Sequence, residues 1–466
     1  MAQSDNSKRF KRGLVLFQND LRIEDHLPLL NAAQHCDRLI CVHILPARSN
    51  WLQHSGLDDF GDHRQRFIQD ALRHLDGQLR QFNQRLYRFS AQSPSNDGQV
   101  NTSQVFAATL SDIINRHHID AVFHSDHPGY EERRALALSK TQVSDVAFHC
   151  FDNLTLFSRD SVKKPSFYNS YSQFKQLVLK RIPTAPKAAP NHLPAPFPID
   201  TDSAGLMIQN PVFHITESPD VGRRHLNQYM GLSFAKGNDP DSTPLRCYKD
   251  TRNAIDDATA SSRLSTFLAQ GTLSVREIAE QLFQHELQFG QNDSTRWLYF
   301  ELLWREFFYH YGYHFNQLMF RFSGINGRRP LTSFYPQAFQ AWLWGQTNEP
   351  LVNAIMNQLR ETGYISNRAR QIAASYLVNE AQLDWRYGAH TFQHYLTDYD
   401  VAINWGNWQY IAGVGIDPRG GRHFNIKKQA QEFDPDKRYI SRWRGEVGYS
   451  PQPFHTDAVD WPVAKS

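Results

Sequence analysis

Arg296–Gly312 (RWLYFELLWREFFYHYG) sets a carboxylate, an indole and a guanidinium inside a run that is otherwise almost wholly aromatic and apolar. At helical spacing Glu301, Trp304 and Arg305 share one face. Charges in such a helix are costly unless paired or put to use. Two readings follow. One is a structural ion pair. The other is an aromatic-walled polar pocket in which Glu301 hydrogen-bonds a ligand and Trp304 stacks on it. A second cluster is Asn367, Arg368 and Arg370 in SNRARQ, and a third is DYDVAINWGNWQY with Asp398, Asp400, Asn404, Trp405 and Trp408. Asp400, Asn404 and Trp408 recur every four residues and line up if the segment is helical. A helix cap or packed core explains each fragment alone. Together they supply the Asn, Asp, Arg and Trp that a buried polar cofactor needs.

Other chemistries lack their residues. Cys36, Cys41, Cys150 and Cys247 form no CxxC pair, so metal-cluster spacing is absent, and they read as reduced, partly buried thiols of a cytosolic protein. The histidines include no HExxH, no metal site is expected, and His117–His118 reads as helix surface. The first residues lack an apolar stretch long enough for a signal peptide, and no window approaches a membrane span, so a cytoplasmic location is expected. A net charge of +3 permits a nucleic-acid partner. Between Arg419 and Arg444 eight Lys/Arg face three acids, which is either a solvated helical face or a phosphate-binding surface.

The elements that position these clusters divide the chain. At 466 residues it is too long for one core. In the first 150 residues, apolar runs at Gly13–Phe17, Arg38–Leu45, Arg85–Phe89, Ala121–Ser125 and Val146–Phe151 read as strands. Ile68, Leu72, Leu75, Leu79, Phe82 and Leu86 step by three and four and read as one amphipathic helix. This alternation predicts a doubly wound parallel sheet. No GxGxxG follows the first strand, which argues against a dinucleotide site there. Eight prolines fall in the 37 residues from Pro183 to Pro219, marking an extended connector that wraps between domains. Beyond about residue 220 the periodicity is helical throughout, with helices at Arg296–Gly312, Leu351–Glu361 and Ile365–Leu377. The reading is α/β plus all-α: an α/β domain over 10–151, a connector over 152–220 and an all-α domain over 221–446.

SSRLSTFLAQGTLS (Ser261–Ser274), ELLWREFF (Glu301–Phe308), TGYISNRARQIAASYL (Thr362–Leu377), LDWRYGA (Leu383–Ala389) and DYDVAINWGNWQYIAGVGIDPR (Asp398–Arg419) closely resemble, in order and spacing, the flavin-domain motifs of photolyases and cryptochromes. YKDTRN (Tyr248–Asn253), NWGNWQY and FNIKKQ (Phe424–Gln429) resemble the DASH branch. FQNDLRIEDHLPLL (Phe17–Leu30) resembles the family's first strand and turn, with Phe-Gln-Asn where Trp-Phe-Arg is usual.

The resemblance implies an N-terminal antenna domain and a C-terminal domain holding one non-covalent FAD. By position, Ser261, Ser262, Leu264 and Ser265 would hold its phosphates and Tyr248 would contact it. Arg370 and Asp398 would pair over the flavin ring, Asp400 would bind near the ribose, and Asn404 would face the reducible ring nitrogen. The implied activity is that of a deoxyribodipyrimidine photo-lyase. Excited reduced FAD gives an electron to a flipped cyclobutane pyrimidine dimer, which splits and returns it. Glu301 and Asn367 would contact the dimer, and Trp304 and Tyr410 would flank it. Damaged bases flip cheaply, and DASH relatives prefer single-stranded or looped DNA. UV-damaged single-stranded DNA is thus the implied partner, with RNA a further candidate, and the protein is expected to be a monomer. Arg419, Arg422, Lys427 and Lys428 would neutralise phosphates. A methenyltetrahydrofolate antenna would sit between the domains on Glu132 of HPGYEERRAL, with Glu131 the alternative; a solvated helix start explains both acids as well.

One position departs from the family. Trp408 and Trp385 match the first two members of its electron relay, 23 residues apart, but the third falls on Thr332. Trp405, Trp342 or Trp344 are substitutes to weigh. The competing function is a blue-light photoreceptor with little repair. A (6-4) photolyase would need a pair of histidines that the matching positions lack.

Overall fold

The computed structural model describes residues 9–49, 52–91, 101–162, 170–199, 220–232, 243–256, 259–416 and 420–446. Each of the five apolar runs is a strand: β1 (Phe10–Phe17), β2 (Cys36–Leu45), β3 (Leu86–Ser90), β4 (Ala121–Ser125) and β5 (Ala147–Phe151). They form one parallel sheet in the order β3-β2-β1-β4-β5. Alternation along β1 sends Leu14 and Leu16 into one apolar layer and Val15 and Phe17 into the other, so helices cover both faces. Those helices are α1 (Leu27–His35), α2 (Asp62–Arg80), α3 (Thr102–His117) and α4 (Tyr130–Gln142).

The helix expected through Leu86 stops earlier. Asn83 takes a left-handed φ of 56°, which ends the turn. Phe82 lies in that turn, and Leu86 opens β3, its N–H donating to Asp76 at 2.8 Å. His117 is buried in the last turn of α3 rather than lying on its surface. The thiols split into two buried, Cys36 and Cys41, and two exposed, Cys150 and Cys247.

The connector crosses and returns. Its helix α5 (Tyr171–Val178) packs on the helical half, where Phe174 meets Phe307 with ring centroids 5.5 Å apart. The first part of the proline-rich stretch, up to Ile199, then runs back along the α/β half. Lys187 N–H donates to Asp25 at 3.0 Å, and the Pro194 carbonyl accepts from Gln84 Nε2 at 2.6 Å. Residues 200–219 of that stretch lie outside the described residues.

The second half is helical: α6 (Asp220–Met230), α7 (Pro244–Thr251), α8 (Ser265–Gln270), α9 (Val275–Phe289), α10 (Asp293–Phe315), α11 (Pro336–Leu343), α12 (Pro350–Thr362), α13 (Asn367–Ser375), α14 (Trp385–Tyr395), α15 (Val401–Ala412), α16 (Ile426–Phe433) and α17 (Arg438–Arg442). A π-helical turn, Tyr376–Glu380, extends α13. Among the described residues no helix is long and apolar enough to cross a membrane, and no cluster of His, Cys, Asp and Glu suits a metal ion.

The halves are locked together by buried charge. Glu306 of α10 accepts from the Leu156 and Phe157 N–H groups at 2.8 and 3.0 Å and meets His310 Nε2 at 3.0 Å. Gly271, after α8, has a φ of 66°, and a Cβ there would lie 2.1 Å from the Asn19 carbonyl. Only glycine lets the loop after β1 approach that closely.

Candidate functional site

Two long helices, α10 and α15, form the site's frame. α10 begins with a capping box between Asn292 and Thr295, and Asp400 caps α15 by accepting from Ile403 N–H at 3.0 Å. They approach closely at Gly406, where a Cβ would lie 2.3 Å from a ring carbon of Phe308.

On α10, Glu301 is half-buried and ion-paired, but with Arg252 rather than Arg305. Trp297 Nε1 donates to the same carboxylate at 3.1 Å. Burial pushes the Glu301 carboxyl up from its ordinary value, and Arg252 and the Trp297 N–H offset only part of that. Arg305 turns the other way, donating to the Leu154 carbonyl at 3.0 Å and lying 3.9 Å over the Tyr309 ring. The two charges that share a helix face in sequence therefore serve different partners, Arg252 at the end of α7 and the Leu154 carbonyl of the connector.

Trp304, one turn on, meets Tyr410 of α15 edge to face at 6.4 Å and lies flat against Tyr171 at 3.5 Å. Arg422 holds Tyr410, its Nε donating to the hydroxyl at 2.8 Å and its guanidinium stacking at 4.6 Å. Tyr248 is buried beside Arg252 and Glu301, and burial pushes its hydroxyl up. Asn367 is exposed on the first turn of α13, whose N-cap is Ser366.

The polar cluster lies on α13 and α15. Arg370 Nη2 donates to both oxygens of Asp398, at 3.0 and 2.8 Å. Burial alone would lower the Arg370 guanidinium, and Asp398 more than offsets it. Asp400 accepts from the Tyr309 hydroxyl at 2.5 Å. Asn404 is buried, and its Nδ2 donates to the Ala389 carbonyl at 2.9 Å. Ser261, Ser262, Leu264 and Ser265 lead into α8, whose N-cap is Leu264 and whose first turn has no side-chain cap.

The two acids of HPGYEERRAL part company. Glu131 turns to α3, where the Ser103 hydroxyl donates to it. Glu132 instead turns to His127, with Oε2 3.8 Å from His127 Nδ1, and its charge helps to raise the Tyr399 hydroxyl of the helical half.

The tryptophans are arranged in two groups. Trp408 packs edge-on against Phe392 at 5.1 Å and Trp342 at 6.5 Å. Trp385 meets Trp405 at 5.7 Å. A Cβ on Gly388, one turn from Trp385, would lie 2.2 Å from the Trp408 ring, so Trp408 sits directly on α14. Trp344 is exposed under Arg360, and the Thr332 hydroxyl is buried with no hydrogen-bond partner.

The basic rim consists of Arg422 and exposed Lys427 and Lys428 in the first turn of α16. Positive charge at a helix N-terminus opposes the helix dipole, so it does not serve the helix. Arg368 lies over Phe433 at 5.0 Å and Phe424 at 5.7 Å. Arg419 lies outside the described residues.

Sequence reasoning missed Tyr171, Arg252 and Tyr309. Arg252 sits within YKDTRN, and its partner carboxylate is 49 residues away. Tyr171 lies in the connector, where no periodicity points to Trp304.

Residues 13–195 match the DNA photolyase domain and residues 297–464 the FAD binding domain of DNA photolyase. A cryptochrome DASH of Idiomarina loihiensis is 40% identical over 461 residues, 97% of each chain. One of Vibrio parahaemolyticus is 38% identical, again over 97% of each. A cryptochrome of Synechocystis sp. superposes with a TM-score of 0.81 at 28% identity, over 94% of this chain and 89% of its own. A class III photolyase of Agrobacterium tumefaciens shares the fold, with a TM-score of 0.74 at 24% identity, over 96% of this chain and 89% of its own. With a photolyase-type α/β half, an FAD-binding helical half and relatives along its whole length, the chain belongs to the photolyase/cryptochrome family, among the DASH cryptochromes.

Proposed function

We propose that the protein is a light-driven lyase that repairs cyclobutane pyrimidine dimers, preferentially in single-stranded or looped DNA. The observation that carries this reading is that α15 bears both sets of residues: Asp400, Asn404 and Trp408 on the polar cluster, and Tyr410 opposite Trp304 and Glu301. Both sets of residues are therefore carried by one helix.

The residues fit FAD. An ion pair with a buried carboxylate (Arg370–Asp398), a buried amide (Asn404) and an uncapped α8 start flanked by hydroxyls suit a ring edge and phosphates. Bound FAD supplies the light absorption and the electron that opens the dimer. The protein does the rest. Arg252 keeps Glu301 compensated, so the carboxyl can face a neutral pyrimidine pair without an isolated buried charge. Trp304 and Tyr410 give the flipped bases apolar walls and exclude water, in the manner of single-strand stacking platforms. Asn367 and the Lys427–Lys428 rim are assigned to the dimer and its phosphates. Trp408 and Trp385 are assigned as donors that keep the cofactor reduced, with Trp405, 5.7 Å from Trp385, as the substitute for Thr332 in ring contact with the second donor. Glu132, beside His127, is assigned to a folate antenna.

The test is repair of a dimer-containing oligonucleotide, single- and double-stranded, under blue light with reductant, by protein of measured FAD content. Repair of the single strand is expected to exceed that of the duplex. FAD-loaded protein that is photoreduced by light and thiol yet leaves both substrates intact would establish the photoreceptor reading instead.

A further inference from the structure

Trp304 is assigned to stack on the dimer, so what lies on its faces decides how it is used. One face is covered. The Tyr171 ring lies parallel to it, with centroids 3.5 Å apart and planes 10° apart, leaving no room for a base between them. The Tyr171 hydroxyl donates to the Phe300 carbonyl at 3.0 Å. Phe300 is four residues before Trp304, so this is the carbonyl to which helix geometry directs the Trp304 N–H. One side chain thus touches both the indole and its backbone anchor. Tyr171 is itself well fixed. It opens α5, whose N-cap Ser170 accepts from Gln173 N–H at 3.3 Å. Phe307 stands edge-on to its ring at 5.8 Å, and Lys175, one turn on, lies 4.5 Å over the Phe300 ring.

We propose that Tyr171 is a positioning residue for nucleic-acid binding. It holds the plane of Trp304 and covers one of its two faces, while Phe308 lies against the indole at 5.7 Å and Tyr410 stands edge-on at 6.4 Å. The connector helix α5 is therefore part of the pocket wall and not only a link between halves. Three contacts on a capped helix make Tyr171 a fixed brace, not a plug that bases must displace. The indole is ordered before a ligand arrives, and its ordering cost does not fall on binding. This inference rests on the dimer-binding reading above.

The experiment is dark binding of a dimer-containing single-stranded oligonucleotide, with an undamaged one as control, by FAD-loaded protein. Tyr171→Ala should weaken dimer binding about 10-fold, the scale of one aromatic pair, and leave the undamaged strand unchanged. Tyr171→Phe, which keeps the ring, should return to within about 2-fold of wild type. The double variant Tyr171→Ala/Trp304→Ala should bind no more weakly than Trp304→Ala alone, because the brace acts only through the indole. Should Tyr171→Ala not fold, Tyr171→Leu takes its place with the same expectation. Wild-type affinity in Tyr171→Ala, tighter binding, or full additivity in the double variant would overturn the proposal while the dimer reading stands. Wild-type dimer affinity in Trp304→Ala would instead bring down the dimer reading, and the brace with it.

Discussion

Both halves bury charge, but they use it differently. In the α/β half, Asp20 accepts from the Ser125 hydroxyl at 2.5 Å and meets His26 Nε2 at 3.0 Å, while Asn153 Nδ2 donates to Ser125 at 3.0 Å. Arg22 beside them donates to the Gly271, Asp25 and Asn153 carbonyls. The Asp20 and His26 side chains are 1% and 0% exposed. This network fills the carboxyl ends of β1 and β4, where doubly wound sheets usually receive a ligand. In the helical half, Glu301 and Arg252 remain 31% and 19% exposed beside aromatic rings. A closed network locks a chain, whereas a pair left partly open beside aromatic walls is available to a ligand.

Breaking one network in each half tests that contrast most strongly. Asp398→Ala strands the Arg370 guanidinium; removing one partner of a buried pair typically costs about 3–5 kcal/mol. The expected result is a lower Tm together with loss of FAD on gel filtration. Asp20→Asn should also lower Tm, yet leave the FAD content of the folded protein unchanged. Equal FAD loss in both variants would erase the distinction.

Acid sharpens the comparison next, because each half contains a buried histidine. Burial lowers His43 and His390 to about 4. Between pH 6.5 and 4 the unfolded chain binds the proton that these side chains refuse in the fold, so stability falls as pH falls through that window. Each contributes at most about 3 kcal/mol. A Tm profile should decline from pH 6.5 to 4.5, and His43→Gln and His390→Gln should each flatten it. A profile unchanged in both variants would place the acid sensitivity elsewhere.

Glu301→Ala would remove the proposed contact to the dimer without touching Arg370–Asp398. Loss of a hydrogen bond at a buried polar site costs about 1–3 kcal/mol, so dimer binding and repair should weaken roughly 10- to 100-fold with FAD retained. An unchanged repair rate would show the pocket to be misassigned. The smallest effect belongs to the rim. Lys427→Gln and Lys428→Gln should each weaken single-strand binding a few-fold regardless of damage. Each should also flatten the salt dependence of binding, by about 0.7 in log–log slope for every phosphate that is no longer neutralised.

Much of this was legible in the residues, for identifiable reasons. The five strands were readable because each is a short apolar run with strand period or full burial, and α10 because its aromatic character persists over many turns. Asp400, Asn404 and Trp408 were readable as one face because they lie on a single helix. The end of α2 was not, since one left-handed Asn83 outweighs an apolar step that continues to Leu86.

What one chain segment determines about itself, the sequence determined: the order of elements, the helix faces and the motifs that carry the family. What required two distant segments to meet, only the tertiary structure decided. Helical spacing suggested Arg305 as a companion of Glu301, yet Arg252, far away on the chain, takes that place. The segment HPGYEERRAL offered two acids, and only the packing of α4 against α3 turned Glu131 to Ser103 and left Glu132 beside His127. Tyr171 on Trp304 is the plainest case, a face-to-face contact between a connector and a core helix. Side-chain periodicity records which face of an element is buried, but not which element will cover it. That choice is made when the halves pack.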